Sequence, residues 1–285
     1  MNTSIKLIEC PRDAMQGWKS NIPTEKKINY LNSLLQVGFD TIDFGSFVSP
    51  KAIPQMADTK LIIPKLNLTN SSSKLLAIVA NIRGANDAAA FDEITYLGFP
   101  FSVSETFQLR NTNSTILDSL KTVDAIQNCC IQNKKQLVVY LSMAFGNPYG
   151  DKFDDEIVFD WANKFASMGI KIISLADTIG VATTNQINKL AGYLIAEMPE
   201  IEIGLHLHSS LNNWEEKFDS ALNSGCKRFD GALKGFGGCP MAADNLVGNM
   251  PTELMIAHLE TNSFSKSINK NALLKSVLLA TELFN

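Results

Sequence analysis

The chain has 285 residues, of which 45% are hydrophobic and 19% charged, with a formal net charge of −4 and a pI near 5.5. This acidic balance, without any polybasic block, argues against nucleic acid or an anionic membrane as the main partner. No apolar run approaches the roughly 18 residues of a membrane span, and residues 1–10 are typical of a strand rather than of a leader peptide. The five cysteines form no spaced framework, which suits a reducing compartment. We therefore expect a cytoplasmic globular protein.

Short apolar runs alternate along the chain with longer segments of helical periodicity. Strands are predicted at 5–9, 41–44, 75–80, 93–98, 137–143, 170–175, 201–206 and 228–233. Helices are predicted at 24–36, 85–90, 113–132, 154–168, 184–197, 212–223 and within 251–285, whereas 57–74 and 99–112 fit the alternation least. Eight strand–helix units predict an α/β fold, a (β/α)8 TIM barrel formed as a single domain over 1–285 with extra C-terminal helices.

Polar residues recur where the predicted strands end. In barrels of this kind the active site forms at the C-terminal ends of the strands, so this position predicts an active-site rim. Any one of these residues alone is compatible with an ordinary loop, but their recurrence at nearly every strand end favours an enzyme. The set includes Arg12, Asp13, Asp43, Ser46, Asn81, Arg83, Ser142, Asn147, Ser174, Asp177, Thr178, His206 and His208.

His206-Leu-His208 is the sharpest local signal, and it uses two of the three histidines of the chain. Residues i and i+2 of a strand point to one face, so both imidazoles can face one ion. Two buried core histidines are the alternative. With the carboxylate of Asp13 and the amide of Asn249, the predicted ligand set mixes nitrogen and oxygen without thiolates, which suits Mg²⁺ or Mn²⁺ at least as well as Zn²⁺.

The segment Gly235-Phe-Gly-Gly-Cys239-Pro240 is typical of a flexible loop that carries one thiol. Its glycines allow the loop to fold over a ligand, and a thiol can donate or accept a proton near neutral pH. A tight turn with a small buried residue is the alternative.

Together these residues resemble the 3-hydroxy-3-methylglutaryl-CoA lyase family over essentially the whole chain. The segments that carry the resemblance are Cys10-Pro-Arg12-Asp13-Ala-Met-Gln16, Ser46-Phe-Val-Ser-Pro-Lys51, Pro54-Gln-Met56, Ser174-Leu-Ala-Asp177-Thr-Ile-Gly180, His206-Leu-His208 and Gly237-Gly-Cys239-Pro240. Arg-Asp and His-x-His are shared with a wider metal-dependent group that includes homocitrate and isopropylmalate synthases. The Ser-Phe-Val-Ser-Pro-Lys segment and the Gly-Gly-Cys-Pro loop are more typical of the lyases.

The resemblance implies a homodimeric, metal-dependent lyase that cleaves 3-hydroxy-3-methylglutaryl-CoA, or a close 3-hydroxyacyl-CoA, to acetyl-CoA and acetoacetate. It implies that the divalent cation, Mg²⁺ or Mn²⁺, is bound by Asp13, His206, His208 and Asn249. Catalytic roles are implied for Arg12, Asp13, Asp43, Asp177, His206 and Cys239. Contacts with the acyl-CoA thioester are implied for Arg12, Lys19, Ser46 and Ser174.

The chain departs from the family pattern around the predicted site. Asp43 stands where a glutamate is usual, Ser209 follows His208 where an aspartate is common, and one extra residue separates Cys239 from Asn249. The alternative functions are a Claisen-type acyl-CoA synthase or a 2-oxo acid aldolase of the same barrel group, and a non-catalytic acyl-CoA-binding protein. A synthase has no evident use for the cysteine loop, and a binding protein would show no metal-dependent turnover.

Overall fold

Eight parallel strands close into a barrel. The structure is a computed structural model that describes residues 5–238, 247–262 and 267–285. Its strands are β1 (Lys6–Glu9), β2 (Thr41–Ser46), β3 (Lys74–Ile78), β4 (Ile94–Ser102), β5 (Gln136–Ser142), β6 (Ile172–Ala176), β7 (Glu202–His206), β8 (His208–Ser209), β9 (Arg228–Gly231) and β10 (Gly248–Asn249). The barrel runs from β1 to β7 in order and then through β9, which pairs back onto β1. The predicted (β/α)8 barrel is confirmed.

The helices lie between the strands and after the last of them. They are α1 (Pro11–Gln16), α2 (Thr24–Leu34), α3 (Thr59–Ile62), α4 (Ile82–Ala89), α5 (Glu105–Thr112), α6 (Ile116–Gln132), α7 (Asp155–Ser167), α8 (Thr184–Glu197), α9 (Trp214–Asn223), α10 (Thr252–Thr261) and α11 (Lys270–Leu283). The predicted helices are confirmed with small shifts at their ends, and so are the extra C-terminal helices. Three helices appear where none was predicted: α1 follows β1 directly, α3 lies within 57–74, and α5 occupies much of the presumed loop at 99–112.

Local sequence explains where several helices begin and end. Asp154 caps α7, since its side chain accepts a hydrogen bond from the backbone N–H of Ile157. Thr183 and Gln186 form a reciprocal capping box at the start of α8. The chain leaves α7 through Gly169, whose φ of 80° is a left-handed conformation that favours glycine.

The barrel interior is a packed core rather than a channel. It is filled by the side chains of Leu76, Ile78, Tyr96, Val138, Tyr140 and Ile172. A Cβ at Gly98 would lie 2.6 Å from Cδ1 of Ile78, so a larger residue on this strand would collide with the core. A ligand therefore has room only above or below the filled layers. Within the part of the chain that the structure describes, no helix is both long and apolar enough to cross a lipid bilayer.

Candidate active site

Six of the thirteen polar residues predicted at the strand ends line one pocket at the C-terminal end of the barrel, called the rim pocket below. Arg12 and Asp13 reach it from the first turn of α1, and His206 reaches it from the last residue of β7. His208 and Asn249 are paired in register across β8 and β10, a two-stranded antiparallel ribbon above the barrel. The lining residues are Arg12, Asp13, Gln16, Val48, Ile53, Ile78, Ala80, Pro100, Phe107, Asn111, Thr112, Tyr140, Ser142, Ala176, Thr178, His206 and His208.

Asp13, His206 and His208 can hold a metal ion, because each offers a ligand atom within 4.8 Å of the other two. Asn249 lies beside them and donates from Nδ2 to Oδ2 of Asp13 at 2.8 Å and to the carbonyl of Phe236 at 2.9 Å. We call these four side chains the ligand cluster. The sequence prediction placed the same four residues together.

Two buried lone pairs of the ligand cluster fit a cation. The Nδ1 of His208 lies 3.0 Å from the Thr178 carbonyl, which can only accept, so Nδ1 carries the proton of the neutral ring. Burial and the nearby His206 lower the pKa of His208 to about 4, which keeps this ring neutral. Its Nε2 and the Oδ1 of Asn249 are buried without a hydrogen-bond partner among the described residues. Unpaired acceptors beside a carboxylate are a suitable donor set for a divalent cation.

The carboxylate of Asp13 is held in its ionised form. Burial opposes ionisation, but the Arg12 guanidinium and the two neighbouring histidines outweigh it and lower the pKa of Asp13 to about 2. Arg12 donates to Asp13 at 3.1 Å, and Gln16 donates to the same oxygen at 2.7 Å. The oxygen that faces Asn249 is thus a fixed negative ligand atom.

Asp230 orients His206 from the next strand of the barrel. Its Oδ2 lies 3.2 Å from Nδ1 of His206, so the other ring nitrogen points away from Asp230. Burial disfavours the charged ring, but the hydrogen bond and the charge of Asp230 outweigh it and raise the pKa of His206. Carboxylate–histidine pairs of this kind set the tautomer and basicity of metal ligands. Asp230 was missed from the sequence, although it lies two residues into the predicted strand 228–233.

Replacing Asp230 with asparagine is expected to weaken divalent-metal binding by about 10- to 100-fold, because the neutral amide no longer strengthens the basicity of His206. Isothermal titration with Mn²⁺ measures the effect. Asp219→Asn is a matched control, since Asp219 makes the same kind of contact, 2.7 Å to His258, far from the ligand cluster. Equal affinities in the two variants would show that Asp230 does not tune His206.

Arg12 is locked in place by three acceptors. Its Nε and Nη2 donate to both oxygens of Asp43 at 2.5–3.2 Å, and Nη1 donates to Asp13 and to Gln16. These contacts use four of the five guanidinium N–H groups, so one hydrogen on Nη2 is left for a ligand. Burial dominates over the Arg12 charge and raises the pKa of Asp43 to about 6. Asp43 is fully buried, and the structure gives it the role of holding Arg12.

The predicted acyl-CoA contacts lie at three different places. Ser46 is buried and lines a groove beside the rim pocket, with Val48 common to both. Ser174 lies inside the barrel, two residues before Ala176 of the rim pocket, and its buried Oγ has no hydrogen-bond partner among the described residues. Lys19 is exposed beyond the end of α1 and does not line the rim pocket. Their contacts with a substrate remain predictions.

Asp177 lies below the pocket surface rather than on it. Its Oδ2 accepts from Nζ of Lys217 at 2.7 Å, and its Oδ1 accepts from the backbone of Ala182 at 3.0 Å. Lys217 also donates to the carbonyls of Gly180 and His208. This buried ion pair ties the 177–182 loop to the histidine ribbon, so the geometry supports a positioning role for Asp177.

Cys239 lies outside the residues that the structure describes, but the glycines before it border the ligand cluster. Gly237 has a φ of 100°, and a Cβ there would lie 2.8 Å from Nδ2 of Asn249 and 2.8 Å from Cα of Ala14. Only glycine lets the chain approach α1 and Asn249 this closely. The predicted loop therefore begins beside the ligand cluster.

Tyr140 and the end of α5 are parts of the rim pocket that were not predicted. The Tyr140 ring lies edge-on to His206, with centroids 5.8 Å apart, and its buried hydroxyl has no hydrogen-bond partner among the described residues. Asn111 and Thr112 line the pocket from α5. Tyr140 lies in the predicted strand 137–143. The alternation of inward-facing and outward-facing side chains along that strand was the signal that could have placed Tyr140 inside the barrel.

Glu9 is a buried carboxyl at the end of β1, next to but outside the ligand cluster. It accepts hydrogen bonds from the backbone of Leu233 at 2.9 Å and from the hydroxyl of Thr252 at 2.6 Å. Burial nonetheless raises its pKa from 4.5 to about 8. Glu9 thus joins β1 to the segments after β9 and β10 mainly as a neutral acid near neutral pH.

Glu9 is expected to make the protein less stable as pH rises from about 4.5 to 8. In that range the unfolded chain is ionised at Glu9 while the folded protein retains the proton, so the free energy of unfolding falls by at most about 1.4 kcal/mol per pH unit. Glu9→Gln should remove this slope, as measured by urea unfolding from pH 5 to 8. Glu156→Gln, at an exposed position, should leave it unchanged. Parallel stability curves for wild type and Glu9→Gln would contradict the assignment.

Comparisons with known proteins match the chain to one family along nearly its whole length. The HMGL-like family model matches residues 5–278. The mitochondrial hydroxymethylglutaryl-CoA lyase of Homo sapiens is 31% identical over 275 residues, which cover 95% of this chain and 83% of that enzyme. The 3-hydroxy-3-isohexenylglutaryl-CoA/hydroxymethylglutaryl-CoA lyase of Pseudomonas aeruginosa is 30% identical over 270 residues, covering 94% and 89%. The structure of an HMG-CoA lyase from Acinetobacter baumannii in complex with coenzyme A and 3-methylmalate superimposes with a TM-score of 0.91 at 30% identity, covering 99% and 91%.

Proposed function

This chain belongs to the HMGL-like family, and from that membership we propose that it is a lyase that cleaves 3-hydroxy-3-methylglutaryl-CoA, or a close 3-hydroxyacyl-CoA, to acetyl-CoA and acetoacetate. The observation that carries the proposal is the ligand cluster, which meets the charged Arg12 in one pocket at the C-terminal end of the barrel. The 30–31% identity to lyases over 94–95% of the chain supports this reaction over a synthase or an oxo-acid aldolase.

The reaction requires removal of the 3-hydroxyl proton, cleavage of the C2–C3 bond and protonation of the resulting enolate. We propose Mg²⁺ or Mn²⁺ as the cation of the ligand cluster, held by Asp13, His206, His208 and Asn249. When bound, such an ion lowers the pKa of the substrate hydroxyl and orients it. The hard oxygen donors and neutral imidazoles of the cluster suit these two ions.

Arg12 stabilises the negative charge that develops on the thioester oxygen as the enolate forms. Its remaining Nη2 hydrogen is the donor, and the contacts with Asp43, Asp13 and Gln16 fix its direction before the substrate arrives. A cation that needs no reorganisation in a buried pocket is most effective where charge develops.

His206 and Asp13 are the two proposed acceptors of the hydroxyl proton. The pKa of Asp13, about 2, makes its carboxylate a weak base, whereas the hydrogen bond that His206 Nδ1 donates to Asp230, and the charge of Asp230, raise the pKa of His206. Efficient proton transfer favours a base whose pKa lies near the working pH. In the pocket without a cation these electrostatics favour His206. With a cation bound to its other ring nitrogen, His206 has no lone pair left, since Nδ1 faces Asp230, and the proton then passes to Asp13 or to a water molecule.

Cys239 is proposed to protonate the enolate carbon as the glycine loop covers the rim pocket. Cys239→Ser is expected to lower turnover by about 100-fold or more, because a hydroxyl is a far weaker acid than a thiol. Cys129→Ser on the outer helix α6 is the matched control and should retain full turnover. Full activity in Cys239→Ser would assign the proton donor elsewhere.

The reaction class is tested with purified protein, 3-hydroxy-3-methylglutaryl-CoA, and Mg²⁺ or Mn²⁺, with and without EDTA. Metal-dependent formation of acetoacetate and acetyl-CoA in equal amounts is expected. A protein that binds Mn²⁺ yet forms neither product would refute this substrate, and assays with other acyl-CoA thioesters and 2-oxo acids would follow.

We also propose that residues 1–285 act as one catalytic domain, in the cytoplasm and as a homodimer. The family resemblance supports these three points, and a zebrafish relative, 31% identical over 252 residues, is named as a cytoplasmic 3-hydroxy-3-methylglutaryl-CoA lyase. Light scattering coupled to gel filtration gives the number of subunits.

A further inference from the structure

A second cavity lies at the opposite end of the barrel, at the N-terminal ends of the strands, and is called the basal cavity below. Lys6, Lys74 and Arg228 line it, and each is the first residue of its strand, in β1, β3 and β9. Asp40 and Tyr96 also face it. Its volume of about 340 Å³ falls within the range of small-molecule sites. None of these residues lines the rim pocket.

The guanidinium of Arg228 is a buried cation that lines the basal cavity, and two of its nitrogen atoms have no acceptor among the described residues. It is 1% exposed, and its Nη1 donates to Glu202 at 3.1 Å. Its Nε and Nη2 are buried without an acceptor among the described residues. Room for the side chain comes from Gly204, where a Cβ would lie 2.9 Å from Cδ of Arg228. Since a guanidinium stays charged, buried donors of this kind call for a further acceptor.

Three cations line the basal cavity. Nζ of Lys74 lies 5.7 Å and Cζ of Arg228 lies 5.9 Å from the centroid of the same Tyr96 ring, so two cations lie near one electron-rich aromatic ring. Lys6 and Arg228 also share a single carboxylate, Glu202. Asp40 lines the cavity and Asp230 acts on Arg228 from farther along β9, so among the described residues three carboxylates balance the three cations. An anion is favoured by the unpaired N–H groups of Arg228 rather than by net charge.

We propose that the basal cavity binds a small oxyanion, namely inorganic phosphate or the phosphate group of a small phosphorylated metabolite. Arg228 supplies Nε–H and Nη2–H as charge-assisted donors, and Lys74, which is exposed, supplies a second positive charge. This site lies apart from the lyase chemistry and does not depend on it.

The test is phosphate binding to the full-length protein. Binding is measured by calorimetry and by the thermal unfolding temperature, both at constant ionic strength and with sodium chloride as the reference. Phosphate should raise the unfolding temperature where chloride does not. Lys74→Gln, an exposed position that should not disturb folding, is expected to weaken phosphate binding about tenfold and to leave lyase turnover unchanged. Lys121→Gln, a control in an exposed ion pair on α6, should bind phosphate like wild type.

Arg228→Met is expected to lose phosphate binding altogether. If Arg228→Met fails to fold, the phosphate affinity of Lys74→Gln tests the proposal instead. Glycerol 3-phosphate is compared with inorganic phosphate, and tighter binding of the ester would identify a metabolite as the ligand. An effect of phosphate no larger than that of chloride, or equal affinities in wild type, Lys74→Gln and Lys121→Gln, would overturn the proposal.

Discussion

Asp13→Asn is expected to abolish high-affinity binding of Mn²⁺ and to lower turnover of 3-hydroxy-3-methylglutaryl-CoA by at least about 1,000-fold. Asp13 is the carboxylate of the ligand cluster, and its pKa of about 2 keeps it fully ionised at any working pH. An amide at this position offers a neutral oxygen in place of a full negative charge. Isothermal titration with Mn²⁺ and turnover at saturating metal measure the two effects separately.

The fold should survive this substitution, because the asparagine Oδ1 can still accept from Arg12 and Gln16, and only the hydrogen bond from Asn249 is lost. Arg12 retains both contacts with Asp43, and Asn249 retains the Phe236 carbonyl. Asp58→Asn is the matched control, since Asp58 also pairs with a buried cation, Lys27, at 2.9 Å. Mn²⁺ affinity in Asp13→Asn within threefold of wild type would remove Asp13 from the ligand set.

The barrel and its rim could be predicted because both depend on local patterns. Apolar runs of strand length separated by helical periodicity specify βαβ units, and parallel strands bring their C-terminal ends to one side. Arg12 and Asp13 were therefore correctly placed at the rim, even though the short helix that carries them was not predicted. Pro11 at the first position of α1 was the signal for that helix.

The histidine pair was predicted on one face of one strand, but the structure reaches the same result differently. β7 ends at His206, and His208 belongs to the separate ribbon strand β8. That ribbon pairs His208 with Asn249, 41 positions later, through a register that no local pattern specifies. Asn249 was therefore named as a ligand by its chemistry and by the family resemblance, and no local pattern could place it beside the histidines.

Two further parts of the site depend on contacts between distant residues. Asp177 forms an ion pair with Lys217, which lies on α9, and no local sequence pattern indicates that these two residues are partners. Helix α5 buries only Phe107 and Gln108, so its apolar periodicity is too weak to show a helix. Its one clear sign is Ser104, whose side chain accepts from the backbone of Phe107 as an N-cap.

Arg12→Met is expected to lower turnover by about 1,000-fold while leaving Mn²⁺ affinity within about tenfold of wild type, because Arg12 is not in the ligand set. It should also destabilise the fold by about 3–5 kcal/mol, since Asp43 is left buried without its cation. Steady-state kinetics, Mn²⁺ titration and urea unfolding give the three values.

The loss of stability in Arg12→Met should grow with pH. Burial already holds the pKa of Asp43 at about 6 with Arg12 present, and it rises further once the guanidinium is removed. The folded variant then retains a proton that the unfolded chain releases above its ordinary pKa of 3.8, so the free energy of unfolding falls as pH rises above about 4. The difference from wild type should therefore be larger at pH 8 than at pH 5.

The double variant Arg12→Met/Asp43→Asn separates the structural role of this ion pair from its catalytic role. Removing both charges leaves no buried carboxylate to ionise, so most of the lost stability and the added pH dependence should be recovered. Turnover should stay at the level of Arg12→Met, because the charge that faces the enolate is still missing. Recovery of turnover together with stability would mean that Arg12 acts only by holding the fold, and the lyase chemistry would then need another source of positive charge.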